Sequence, residues 1–208
     1  MKGIFITMEG PDGAGKSTQI ELLKSYLTEQ GFEVLITREP GGTVISEAVR
    51  GVLLNPEYKE MKPETELLLY AAARAQLVGE VIGPAVDAGK AVISDRFVDS
   101  SVVYQGIARG LGVETVYSVN RPAIGEYMPD VTFLLDLPAE VGIARKKNQA
   151  ELDRMEQESL DFHRKVAEGY RTLAERDPER IKTIDATLPV DTICDMIKGK
   201  VRTLLAGS

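Results

Sequence analysis

Residues Gly10-Pro11-Asp12-Gly13-Ala14-Gly15-Lys16-Ser17 satisfy the pattern G-x-x-x-x-G-K-[ST] at every fixed position. In such a loop the glycines let backbone N–H groups turn inward around phosphate oxygens, and the helix that follows adds its positive end. Lys16 is expected to reach the β and γ phosphates, the Ser17 hydroxyl to ligate Mg2+, and Thr18 to add a further phosphate contact. An apolar run over residues 3–8 precedes the loop and a helical pattern follows it, which is the context the motif requires. Without that context the same residues would be an ordinary glycine-rich turn. The motif specifies nucleoside triphosphate binding and leaves open what receives the phosphate.

Five further features bear on the acceptor. Asp95 ends the apolar run 91–94, where a carboxylate would face the phosphates and hold Mg2+, its waters or the acceptor. Arg38-Glu39-Pro40-Gly41-Gly42-Thr43 places a guanidinium and a turn directly after a second apolar run; an ordinary αβ turn is the alternative. Tyr70 and Arg74 share a helix face through their i, i+4 spacing, so a ring can stack on a planar base while the guanidinium bonds its edge. Base–aromatic stacking is worth about 1–3 kcal/mol; a core tyrosine beside a solvated arginine is the competing reading. Arg96 follows Asp95 and with Arg38 could clamp an acceptor phosphate. Ser101, Tyr104 and Gln105 share the next helical face, offering polar groups to a base edge and a ring to a sugar.

The elements that must position these residues alternate. Apolar runs at 3–8, 33–37, 91–94, 131–136 and 180–184 are rich in Val, Ile, Leu and Phe without strict alternation, as strands covered on both faces are. Helical patterns lie at about 16–30, 43–54, 63–88, 99–108, 113–126, 139–147, 156–176 and 190–205. Strand–helix alternation implies an α/β fold with a five-stranded parallel sheet and helices on both faces, a three-layer arrangement. Ligands in such sheets bind beyond the carboxyl ends of the strands, where the residues above fall.

The 208 residues suit a single domain over 1–208. Lys and Arg number 25 and Asp and Glu 32, a formal charge of −7, which argues against a nucleic-acid or membrane-surface partner. No apolar stretch approaches the ~20 residues a membrane helix needs. The apolar N-terminal run is too short for a signal peptide and leads into the phosphate loop, so a cytoplasmic location is expected. The lone Cys194 can form no intrachain disulfide and reads as a buried thiol; the lone His163 reads as a surface residue rather than a metal ligand.

Taken in order, the phosphate loop with Thr18, Arg38-Glu39-Pro40-Gly41-Gly42-Thr43, Tyr70-x-x-x-Arg74, Asp95-Arg96-Phe97, Tyr104-Gln105-Gly106 and Glu151-Leu152-Asp153-Arg154 resemble thymidylate kinase, from about residue 4 to 187. The resemblance implies a P-loop kinase fold with a lid at about 145–156, ATP and Mg2+ as cofactors, dTMP as acceptor, and a homodimer. It further implies that Tyr70 stacks on thymine, Arg74 bonds its edge, Ser101 and Gln105 touch the base, and Arg38 and Arg96 hold the monophosphate. Pro40 belongs to the same substrate-binding stretch. Asp12 would accept from the sugar 3′-hydroxyl, and Tyr104 would crowd the 2′ position. Catalytic roles fall to Lys16, Asp95 and Arg96. Position 13 is glycine, so the loop carries no arginine, as in the bacterial subgroup that supplies a lid arginine instead. Related lids often carry several arginines before Glu-Leu-Asp-Arg. This one has Arg145-Lys146-Lys147-Asn148-Gln149, which leaves Arg145 and Arg154 as the phosphoryl-contacting cations, with Lys147 third and a solvated charge run as the alternative. Another nucleotide kinase of the same fold remains open, as does a nucleotide-driven binding switch. No Asn-Lys-x-Asp guanine-reading motif favours the switch.

Overall fold

The computed structural model describes residues 3–146 and 152–206. One sheet holds β1 (Ile4–Glu9), β2 (Val34–Arg38), β3 (Ala91–Asp95), β4 (Val131–Asp136) and β5 (Ile181–Asp185), all parallel, in the order β2-β3-β1-β4-β5. The expected strands are present, each within one residue of its expected bounds.

Both faces of the sheet are covered, which is why its strands do not alternate. Ile4, Ile6 and Met8 pack with α1 (Lys16–Glu29) and α9 (Val190–Ala206) through Leu23, Leu27, Ile193 and Ile197. Phe5 and Val92 point the other way, against Leu77 of α3 (Pro63–Leu77) and Val98 of α5 (Val98–Ser101). Leu134 and Ile181 meet α8 (Leu160–Arg176) on that same side through Val166, Tyr170 and Leu173. The remaining helices are α2 (Val44–Leu54), α4 (Gly83–Asp87), α6 (Val113–Ile124) and α7 (Ala139–Lys146). Cys194 is buried on α9.

Three helices depart from their expected extents. Residues 63–88 are not one continuous α-helix: a π-helical turn, Val78–Ile82, separates α3 from α4, and the Gly83 N–H donates back to the Val78 carbonyl. Pro84 follows with no N–H to give, so an unbroken ladder is impossible there. Beyond α5 the chain continues as a π-helical segment, Val102–Ala108, carrying Tyr104 and Gln105. α8 begins at Leu160 because Ser159 caps it, its Oγ accepting from the Phe162 N–H at 3.2 Å. Residues just before it are held in a turn by Asp153 Oδ1, which accepts from the Met155 and Glu156 N–H groups at 2.9 Å.

Register sets what the strands deliver. Arg38 pairs beside Asp95, and Asp95 beside Met8, so the end of β2, the end of β3 and the loop after β1 open at one edge.

Candidate active site

The loop between β1 and α1 turns on glycines whose φ is positive: 136° at Gly10, 77° at Gly13 and 90° at Gly15. At these positions a side chain would be strained. α1 starts at Lys16 and aims its N-terminus at the loop. The Lys16 ammonium donates to the Gly10 and Pro11 carbonyls, 3.1 Å each, which leaves one of its three N–H donors for another partner. Burial, then the Arg96 charge, lowers its pKa to about 8 against the pull of Asp12, Asp95 and Glu9.

Of the residues expected at the site, Asp12, Gly13, Gly15, Lys16, Ser17, Thr18, Arg38, Pro40, Tyr70, Arg74, Asp95, Arg96, Ser101, Tyr104, Gln105 and Arg145 line one cavity of about 460 Å3. Gly10 and Pro11 sit behind the wall and contribute carbonyls to Lys16, while Ala14 is buried in the core beneath. Arg145 reaches the phosphate loop, with NH1 donating to the Gly13 carbonyl at 3.0 Å. Arg154 does not come to the cavity: its Nε donates to the Leu53 carbonyl at 2.7 Å and its NH1 pairs with Glu66 at 2.7 Å. Its guanidinium is engaged by a buried carboxylate and a backbone carbonyl instead of facing the phosphate loop's cavity. Lys147 and Glu151 lie outside the described residues.

On the acceptor side, Arg74 is 1% exposed and forks onto Glu39, with Nε at 2.9 Å from Oε2 and NH2 bonded to the same oxygen. Its NH1 hydrogens go to Ser101 Oγ at 3.2 Å and to Asn120 Oδ1, leaving one NH2 hydrogen of the guanidinium's five unassigned. Arg74 is thus not solvated; Glu39 and Asn120 aim it. Arg96 adopts a left-handed backbone, φ 70°, costly for a side chain of its size. Its guanidinium is held by the Gly10 carbonyl (3.1 Å), Tyr170 OH (3.1 Å), Ser100 Oγ (3.3 Å) and Asp12 Oδ1 (2.8 Å), and it lies 5.4 Å from the Tyr104 ring centroid. Arg38 pairs with Glu47 at 2.8 Å at the rim.

The thymidylate kinase family model matches residues 8–197. The chain is 51% identical over 210 residues to the thymidylate kinase of Geobacillus thermodenitrificans, covering all of this chain and 93% of that one. It is 50% identical to the enzyme of Clostridium novyi, over 95% of this chain and 98% of the relative. A crystal structure of thymidylate kinase from Ehrlichia chaffeensis superposes with a TM-score of 0.78 at 31% identity, over 97% and 99% of the two chains. The chain belongs to the thymidylate kinase family. Its reaction is the phosphorylation of dTMP with ATP, and the likeness read from the motifs holds for family, fold and activity.

The donor set beside the phosphate loop suits magnesium. Among the described residues Asp95 Oδ1 is buried without a hydrogen-bond partner, and Asp95 shares the cavity wall with Ser17. Among the described residues no group of three or more His, Cys, Asp or Glu could cage a metal. A hard cation held by one carboxylate, one hydroxyl and substrate phosphates fits that economy of ligands.

Several residues of the site escaped the motif reading. Glu39 lies within the Arg-Glu-Pro-Gly-Gly-Thr stretch, yet nothing in the sequence pairs it with Arg74, 35 positions away. Arg50 lines the cavity and donates to the Pro40 carbonyl at 2.8 Å. Glu9 accepts from the Phe97 N–H at 2.7 Å, Ser100 Oγ at 2.6 Å and Tyr170 OH at 2.8 Å. Its one sequence signal is a charge ending an apolar strand. His163, expected at the surface, is half-buried and packs edge-on against Phe162 beside a small apolar recess behind Pro11.

Proposed function

We propose that one cavity holds ATP and dTMP end to end, ATP on the phosphate loop and dTMP between Arg96 and the Tyr70–Arg74 face. The observation that carries this is the shared wall: Lys16, Asp95, Arg96, Arg38, Tyr70, Arg74 and Gln105 all line the same cavity. Backbone amides of the loop and Lys16 take the β and γ phosphates, and Ser17 with Asp95 would hold Mg2+, which supplies charge neutralisation between those phosphates. Arg96 and Arg38 take the acceptor phosphate. Tyr70 stacks on the base, Arg74 offers its remaining donor to a base carbonyl, and Ser101 and Gln105 meet the same edge. Pro40 shapes the wall beside them. Asp12 accepts from the 3′-hydroxyl, and the Tyr104 ring closes the 2′ side. Arg145, bonded to the loop at Gly13, is the lid cation assigned to the transferring group.

No strong base is needed, because the acceptor phosphate is already nucleophilic at neutral pH. The work is alignment of the reacting atoms and neutralisation of the transition state's charge. We further propose a homodimer acting in the cytoplasm; among the described residues no helix is long and apolar enough to cross a membrane.

The test is ADP release across a panel of dTMP, dUMP, dCMP and ribo-TMP. The expected result is the highest kcat/KM with dTMP. Fast ATP turnover without acceptor, or a preference for dCMP, would overturn the assignment of the acceptor pocket.

A further inference from the structure

A buried carboxylate touches the base end of the cavity without lining it. Glu66 lies four residues before Tyr70 on α3 and is 1% exposed. Its Oε1 accepts from Gln105 Nε2 at 2.8 Å and from Arg109 Nε at 3.2 Å; its Oε2 accepts from Arg109 NH2 at 3.0 Å and Arg154 NH1 at 2.7 Å. Burial works against the charge, but the bonds from Arg109 and Gln105 and the two arginine charges outweigh it and hold the pKa below the usual carboxylate value. Glu66 is therefore ionised at neutral pH and can only accept.

That one-sidedness decides how Gln105 stands. An amide can ordinarily present either its NH2 or its oxygen. Facing an acceptor-only carboxylate, Gln105 must turn its NH2 inward, so its carbonyl oxygen is the end left over. That oxygen accepts no hydrogen bond from the described residues, yet it is not sealed among the buried unpartnered atoms, although the residue as a whole is 1% exposed. Since Gln105 lines the cavity, its oxygen is the atom that meets a ligand.

We propose that Glu66 is a positioning residue that sets the hydrogen-bond polarity of the base site, locking Gln105 as an acceptor so that the site reads a ring imino N–H. Resting on the proposed placement of dTMP, this explains rejection of cytosine as well as acceptance of thymine. Thymine carries N3–H beside a C4 carbonyl. Cytosine carries a bare N3 beside a C4 amino group, so it would set lone pair against the Gln105 oxygen and donor against the Arg74 donor. Sites built to pair a substrate's polar groups reject analogues that leave them unpaired far more strongly than apolar pockets do.

The experiment compares wild type with Glu66→Gln, reading kcat/KM for dTMP and dCMP, the KM for ATP, and Tm. A carboxamide can meet Gln105 with either end, so Gln105 regains its freedom to turn. The expected result is a fall of about tenfold or more in the dTMP:dCMP ratio of kcat/KM, with the ATP KM within about twofold of wild type. Arg109→Met, which cuts the same network without touching the Glu66–Gln105 bond, is expected to lower Tm and leave the ratio unchanged. Should Glu66→Gln not fold, Glu66→Asp keeps the charge between Arg109 and Arg154 while withdrawing it from Gln105, and the ratio is again expected to fall. Equal losses for both nucleotides in whichever variant folds, or an equal ratio shift in Arg109→Met, would overturn the proposal. A wild type that does not prefer dTMP would instead sink the substrate placement on which it rests.

Discussion

Glu9, at the end of β1, carries a carboxyl pushed up to about 7 by burial and by the neighbouring Asp99 charge, against Arg96 and the hydroxyls of Ser100 and Tyr170. Lys16 and Tyr104 also feel its charge. Starting from an ordinary value of 4.5, the folded protein binds a proton between about pH 4.5 and 7 that the unfolded chain does not. Stability therefore falls as pH rises across that window and levels off above it. Glu9→Gln mimics the protonated form. Its stability relative to wild type is expected to be higher at pH 8 than at pH 5, by on the order of 3 kcal/mol at about 1.4 kcal/mol per pH unit. Urea unfolding at the two pH values measures this, and an equal difference at both would refute the assignment. The same reasoning applies to Arg74 with Glu39: two buried charges in contact are costly to separate, so either alone is more damaging to lose than both.

At the scale of elements, α7 lies directly on the phosphate loop. A Cβ at Gly142 would come 2.3 Å from the Asp12 carbonyl oxygen, and one at Gly13 would come 2.6 Å from the Gly142 carbonyl oxygen. Backbone cannot yield as a flexible side chain does. Gly→Ala within a helix ordinarily stabilises by about 0.5–1 kcal/mol, but here the contact must win. Gly142→Ala is expected to displace the loop and lower kcat/KM for ATP by about tenfold or more, read in initial-rate kinetics; an unchanged kcat/KM for ATP would show that the loop tolerates the methyl. The π-helical segment matters in the same way, because it brings Gln105 within reach of Glu66 on α3.

Across the whole molecule, charge is distributed against its average. The chain carries a net −7, yet the cavity wall holds Lys16, Arg38, Arg50, Arg74, Arg96 and Arg145 against Asp12, Glu39, Asp95, Asp153 and Glu156. In the proposed placement, two phosphorylated reactants therefore meet a wall where cations outnumber carboxylates, on an acidic protein. Apolar side chains also remain in water on the adjoining helices α2 and α3: Val44 is 87% exposed, Ile45 56% and Leu68 58%. Covering them contributes about 25 cal/mol per Å2, which favours the proposed homodimer. Light scattering at micromolar concentration is expected to give twice the mass of one chain, and a single-chain mass would remove the dimer.

Local chemistry was legible from residues alone. The phosphate loop, the five apolar runs and the Tyr70–Arg74 spacing depend on contacts within a few positions, where residue type and periodicity dictate backbone and face. Strand ends were readable to within one residue for the same reason. What the sequence left open was decided by pairs far apart in the chain. Arg154 pairs with Glu66, 88 positions earlier, and Arg74 is bonded by Glu39 and Asn120. Glu9 is buried under Tyr170, 161 positions on. A charged side chain looks the same in sequence whether it faces water, a phosphate or a buried partner. Only the packed fold, by excluding water and choosing neighbours, determines which of these it meets.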